Sequence, residues 1–175
     1  MKKIFVIFAL IFSVMTAKVQ AVSIWNQGSG INHSGAFINP AVGLQCGDVD
    51  DDFGIAVNVG YRWHLGSGFN WDVVSFGINT GVSNFSEMLD MRFLTGLRYN
   101  TPQILVGKSL YLNCGFGYHF LTDNTDINGF AWEVGGGVNI NRGLSLGLIY
   151  EGSKYSKHGW GAKWGIVGLR LGLNF

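Results

Sequence analysis

The feature that most constrains this chain is a strict alternation of apolar with small or polar residues. In the last segment Val167, Leu169, Leu171, Leu173 and Phe175 alternate with Ile166, Gly168, Arg170, Gly172 and Asn174. An earlier run sets Phe53, Ile55, Val57, Val59, Tyr61, Trp63 and Leu65 against Gly54, Ala56, Asn58, Gly60, Arg62 and His64. Successive side chains of a strand point to opposite faces, so a period of two specifies strands with one apolar face. Eight such runs can be counted, over about 36–46, 53–65, 73–84, 88–99, 109–121, 129–140, 143–152 and 160–175. Gly66-Ser67-Gly68 and Asn141-Arg142-Gly143 read as tight hairpin turns, whereas 47–52, 122–128 and 153–159 are longer and polar. The connector 100–108, with Pro102, is longer than a tight turn. In the third run Trp71 and Val73 fall out of step with Val74, Phe76, Ile78 and Val82. A β-bulge, or a turn reaching Asp72, reconciles them.

Antiparallel strands joined by hairpins can close into a small barrel that leaves no edge unpaired. Composition decides which face points out. Only 13% of the residues are charged and 27 of 175 are glycine, against about 25% and about 7% in ordinary soluble domains. The polar face, as in Ala131, Glu133, Gly135, Gly137 and Asn139, is too small and too weakly charged for a water-facing exterior. It suits a narrow interior, with Phe130, Trp132, Val134, Val138 and Ile140 turned to lipid. Phe175, Tyr99, Trp63 and Trp71 fall near the short-turn end, and Phe53, Phe85, Phe120, Phe130, Tyr150, Tyr155 and Trp160 near the long-loop end. Two such bands are the aromatic girdles of a membrane barrel. The expected fold is therefore all-β, a transmembrane eight-stranded antiparallel up-and-down β-barrel over residues 35–175.

Residues 1–21 read as a secretory signal peptide: a basic Met1-Lys2-Lys3, an apolar run from Ile4 to Val14, and the small-residue site Val19-Gln20-Ala21. The run is too short to span a bilayer as a helix, and no later apolar run reaches the roughly 18 residues required. Residues 22–34 form a short polar arm before the barrel. Without Lys2, Lys3 and Lys18 the chain carries nine basic against eleven acidic residues, so nothing basic points to nucleic acid.

With these features the chain resembles the small eight-stranded outer-membrane barrels, the OmpA-like and OmpX-like group that includes the opacity-type proteins. Leu171, Leu173 and Phe175 look like the terminal strand signal read by the barrel-assembly machinery, although Arg170 stands where the pattern often has glycine. The resemblance implies location in the outer membrane of a Gram-negative cell envelope. It also implies an interior filled by a charge network.

By parity Arg62, Arg92, Arg98, Arg170, Glu133 and Glu151 point inward, with Asp90 also inward. Isolated charges there are costly, so these should pair. The resulting expectation is a plugged polar lumen with a structural or surface-interaction role. The alternative is a narrow porin-like path for small solutes or ions. A lipid-modifying enzyme is weaker, because His33-Ser34 precedes the first strand and does not make the His-x-Ser strand motif of lipid A deacylases. His158 with Ser156 lies in a loop, and His64 and His119 face inward as hydrogen-bond partners. No catalytic residues, cofactor or metal set is expected. The acidic loop residues Asp48, Asp50, Asp51, Asp52, Asp123 and Asp126 lack calcium-loop spacing. Lys154, Lys157 and Lys163 could contact lipopolysaccharide phosphates beside the rim. Outer-membrane lipid and lipopolysaccharide are thus the expected partners, with the assembly machinery during biogenesis, and a monomer is favoured. Cys46 and Cys114 should lie at different heights on distant wall positions, which argues against a disulfide.

Overall fold

The computed structural model describes residues 34–48, 53–81, 89–104, 108–121, 128–157 and 160–175, with the side chains of 155–162 excepted. The strands are β1 (Gly35–Gly47), β2 (Phe53–Gly66), β3 (Phe69–Gly81), β4 (Asp90–Asn100), β5 (Ser109–Leu121), β6 (Asn128–Asn139), β7 (Leu144–Lys157) and β8 (Trp160–Asn174). Each pairs antiparallel with its sequence neighbours, and β1 pairs with β8, so the sheet is a closed eight-stranded up-and-down barrel. At 11 to 15 residues each strand reaches or exceeds the roughly 9 to 11 a tilted strand needs to cross a bilayer.

The alternation partitions the wall as its period requires. Gly54, Ala56, Asn58 and Arg62 are inside and buried on β2, while Phe53, Tyr61, Trp63 and Leu65 are exposed. Exposed Leu112, Phe116, Val134, Leu148, Val167 and Leu169 continue the apolar belt around β5 to β8. Trp63, Phe69, Trp71 and Tyr99 mark its short-turn end, with the Phe69 and Tyr99 rings 4.8 Å apart. Toward the long loops Phe130 stacks on Trp132 at 5.9 Å and Trp132 meets Tyr150 edge-on at 6.4 Å. This second band is broader than the sequence suggests, because Phe76 and Phe93 pack 5.2 Å apart lower on the same side. Phe85, Tyr155 and Trp160 lie outside the described residues or side chains.

Two boundaries differ from the sequence reading. β3 begins at Phe69 rather than at 73, because Ser67 (φ 49°) and Gly68 (φ 85°) make a two-residue turn with both φ positive. Such a turn matches the right-handed twist of the flanking strands. A side chain at Gly68 would run into the Asn100 carbonyl, so glycine is required there twice over. The phase conflict is resolved by a β-bulge: the register of β3 slips between Asp72 and Ser75 against β4, and between Tyr61 and Arg62 against β2. Thr95 secures it, donating its hydroxyl to the Asp72 carbonyl at 3.0 Å and accepting the Trp71 indole N–H at 2.9 Å. The second difference is β7, which runs to Lys157 instead of stopping at 152. A connector expected at 153–159 is therefore mostly strand, and residues 158–159 are outside the described set.

Cys46 lies near the end of β1 and Cys114 is exposed on β5, half the barrel away, and the two form no disulfide. No helix of the described residues is long and apolar enough to cross a membrane. A belt in contact with hydrocarbon predicts that Leu148→Arg, at a position 64% exposed, lowers unfolding free energy in lipid vesicles by about 2 to 4 kcal/mol. Urea titration followed by tryptophan fluorescence measures it; a change below about 0.5 kcal/mol, usual for a water-exposed site, would contradict a lipid-facing belt.

Candidate functional site

Inside the wall the described residues place four arginines, Arg62, Arg92, Arg98 and Arg170, and four carboxylates, Asp72, Asp90, Glu133 and Glu151, all at most 9% exposed. Their formal charges cancel. The organising group is Glu151 on β7, whose Oε1 accepts from Asn58 Nδ2 (2.7 Å) and Arg170 Nη2 (3.1 Å). Its Oε2 accepts from Asn79 Nδ2 (2.9 Å) and Arg92 Nη1 (3.3 Å). One fully buried carboxylate on β7 thus ties together β2, β3, β4 and β8.

Glu133 faces Glu151 directly across the β6–β7 pairing. Like charges in that position repel. Arg170 relieves the repulsion, because the same Nη2 that reaches Glu151 donates to Glu133 Oε2 at 2.7 Å. Asn113 Nδ2 donates to the other Glu133 oxygen at 2.8 Å. Nearer the long loops, Asp90 receives Arg92 Nε at 2.7 Å, lies 2.8 Å from His119 Nδ1 and accepts from Ser153 Oγ at 3.2 Å.

Toward the short-turn end, Arg62 grips Asp72 with Nε and Nη2, at 2.5 and 2.8 Å. This two-pronged geometry is the strong form of the ion pair. Strict parity through β3 puts Asp72 on the outer face with Val74 and Phe76; the bulge turns it inward. Asp72 is accordingly the acidic lumen residue that alternation alone misses. Arg98 departs from the expectation that the lumen charges pair. Among the described residues no carboxylate reaches it, and its Nε and Nη2 donate to Asn100 Oδ1 and Asn139 Oδ1 instead.

Interior aromatics complete the filling. The guanidinium carbons of Arg98, Arg62 and Arg92 lie 3.7, 4.8 and 5.6 Å from the ring centroids of Tyr111, Phe37 and Trp164. Desolvated cation–π contacts of this kind contribute about 2 kcal/mol. Small wall residues make the room: a Cβ at Gly60 would sit 2.6 Å from Phe37 Cζ, and one at Gly147 would collide with the Tyr111 hydroxyl. The glycine excess is thus partly the space these rings occupy.

The remaining candidates fall as follows. His119 is fully buried, its Nδ1 turned to Asp90 and its Nε2 3.3 Å from the Lys154 carbonyl. Ser153 donates to the acid of this pair, not to the imidazole, which is not the order a nucleophile–base relay uses. His64 is half-buried and bonds Asn70 at 3.1 Å. Asp48 links β1 to β8: its Oδ2 accepts from the Lys163 amide at 2.7 Å and its own amide donates to the Lys163 carbonyl at 2.9 Å. Asp50, Asp51, Asp52, Asp123, Asp126, His33 and His158 lie outside the described residues, as do residues 1–21. Leu171, Leu173 and Phe175 sit at the short-turn end of β8 and beyond it, the Phe175 amide bonded to the Ala36 carbonyl at 2.9 Å.

Comparison with solved structures places this architecture. The crystal structure of Neisserial surface protein A superposes over 85% of this chain and 100% of its own, with a TM-score of 0.59 and 9% identity. The chain has the fold of the small outer-membrane β-barrels. The outer-membrane enzyme PagL also matches, over 79% of this chain and 99% of its own, with a TM-score of 0.57 and 13% identity. No family model and no curated protein sequence matches the chain. One fold therefore carries a surface protein and an enzyme, and function must be argued from this chain's own residues.

Glu151→Ala, which takes a shared carboxylate from two arginines and two amides and leaves the lumen one positive charge in excess, is expected to cost about 3 to 5 kcal/mol. Arg98→Met gives up the guanidinium contact with Tyr111 but breaks no ion pair, so its loss should be smaller, about 2 kcal/mol. Equilibrium urea unfolding of both variants in the same vesicles checks the ordering.

Proposed function

We propose that this protein is an integral outer-membrane barrel with a structural and surface-interaction role, exported by its amino-terminal segment and closed by its own side chains. The observation that carries the reading is the inverted polarity of the wall: neutralised charges inside, an unbroken apolar belt with aromatic ends outside. An eight-stranded barrel has an interior just wide enough for side chains to fill. Here bonded pairs and stacked rings fill it, which supports a plug over a pore. The Asp90, His119 and Ser153 arrangement supports a structural reading over a catalytic one. The experiment is electrophoresis of the outer-membrane fraction with and without boiling, followed by planar bilayer recording of the folded protein. A heat-modifiable band without stable unit conductance is expected. Stable conductance lost on Arg62 or Glu133 substitution would replace the plug with the narrow pore.

A partner for the long-loop rim follows from register. Lys154 on β7 and Lys163 on β8 are directly opposite on the outer face, both exposed. Among the described residues neither makes an ion pair. Two like charges so placed repel unless an anion bridges them. They lie beyond Tyr150 and beside Phe130, at the level where lipid phosphates begin. The lipopolysaccharide phosphates of the outer leaflet are the fitting anion. Replacing both lysines with serine should weaken lipopolysaccharide binding by about tenfold without changing the fold, as read by thermal shift with added lipopolysaccharide. Unchanged binding would remove this contact.

A further inference from the structure

We propose that the opposite mouth of the lumen, at the short-turn end, binds a phosphate-class oxyanion between Arg98 and Arg142. This surface is distinct from the lysine pair and does not depend on it. Arg62, Arg98, Arg142, Asn100, Asn139 and Asn174 line a shallow recess there that opens to solvent.

The charge balance of the recess is unequal. Arg62 is neutralised by Asp72 in a two-pronged pair. Arg98 is buried at 4% exposure, yet amide oxygens are its hydrogen-bond acceptors. Arg142 stands exposed on the β6–β7 turn, and among the described residues it has no acidic partner. The three connectors at this end, 66–68, 101–108 and 140–143, contain Lys108 and Arg142 and no Asp or Glu. Arg98 and Arg142 therefore both line the recess, and among the described residues no carboxylate forms an ion pair with either. The lumen as a whole is neutral because Asp90, Glu133 and Glu151 lie deeper in the barrel than Arg98.

The donor chemistry selects the ligand. Guanidinium forks match the paired oxygens of phosphate, and these two approach from different elements, the β4 wall and the β6–β7 turn. Arg62 Nη1 donates to Asn174 Oδ1 at 2.7 Å, which leaves the Asn174 amide N–H₂ as a further donor at the rim. Tyr111, stacked 3.7 Å beneath Arg98, holds that guanidinium in place before the ligand arrives. A preset cation inside and an exposed one on the turn make a two-sided site for a small tetrahedral anion.

The test uses the full folded barrel in a phosphate-free maltoside detergent. Sodium phosphate is titrated against sodium chloride at matched ionic strength, with ¹⁵N resonances read at Arg98 Nε and the Asn174 side-chain amide. Saturable shifts with phosphate and not with chloride are expected, together with about tenfold weaker binding in Arg142→Gln. That variant lies on an exposed turn, so unchanged heat-modifiable mobility verifies its fold. A second arm places the barrel in nanodiscs of phosphatidylglycerol without inorganic phosphate. The same shifts there assign the anion to a lipid headgroup, and their absence assigns it to free phosphate. Equal responses to phosphate and chloride, no saturable shift in either arm, or unaltered affinity in Arg142→Gln would overturn the site.

Discussion

The structure depends on how buried charge is neutralised across a closed wall. Once eight strands close with their apolar face outward, the ionised side chains on the inner face are turned away from lipid and almost entirely from water. A buried charge left without a partner costs several kcal/mol, more than most single contacts in a protein contribute. The barrel meets this demand across strands instead of along them. Glu151 alone ties its own strand to four others, and Arg170 stands between Glu151 and Glu133 where their register forces the two carboxylates together. The network that solves the electrostatic problem also fills the passage.

Much of this was legible in the sequence, for a geometric reason. A strand has only two faces, so one confident apolar residue assigns its neighbours, and Arg62, Arg92, Arg98, Glu133, Glu151 and Arg170 follow from their positions in each run. The inward pairing of Glu133 with Glu151 follows from the hairpin at 140–143. The same logic fails at Asp72, where a bulge inserts a residue and reverses parity. It is also silent about partners. Asn58, Asn79 and Asn113 look like inert polar filling in the sequence and prove to be the amide ligands of the two glutamates. Phe37, Tyr111 and Trp164 resemble belt residues by type, yet they face inward and stack on arginines because Gly60 and Gly147 leave room for two of those rings.

The barrel's two ends are chemically unlike. At the long-loop end an exposed lysine pair faces outward beside an aromatic band, and Asp48 fastens β1 to β8. At the short-turn end an uncompensated arginine lies at the lumen mouth, below turns that carry only basic charges. The interior between them is neutral and closed. Specificity of the kind that separates a surface protein from an enzyme on this fold therefore has to reside at the rims, where side chains meet water and lipid headgroups.

The central claim is that cross-strand ion pairs are coupled inside the lumen rather than merely adjacent. A double-mutant cycle on Arg170 and Glu133, using Arg170→Met and Glu133→Gln with urea unfolding in lipid vesicles, tests it most directly. The account predicts a coupling energy of about 1 to 3 kcal/mol. Additivity of the two substitutions to within about 0.5 kcal/mol would contradict it.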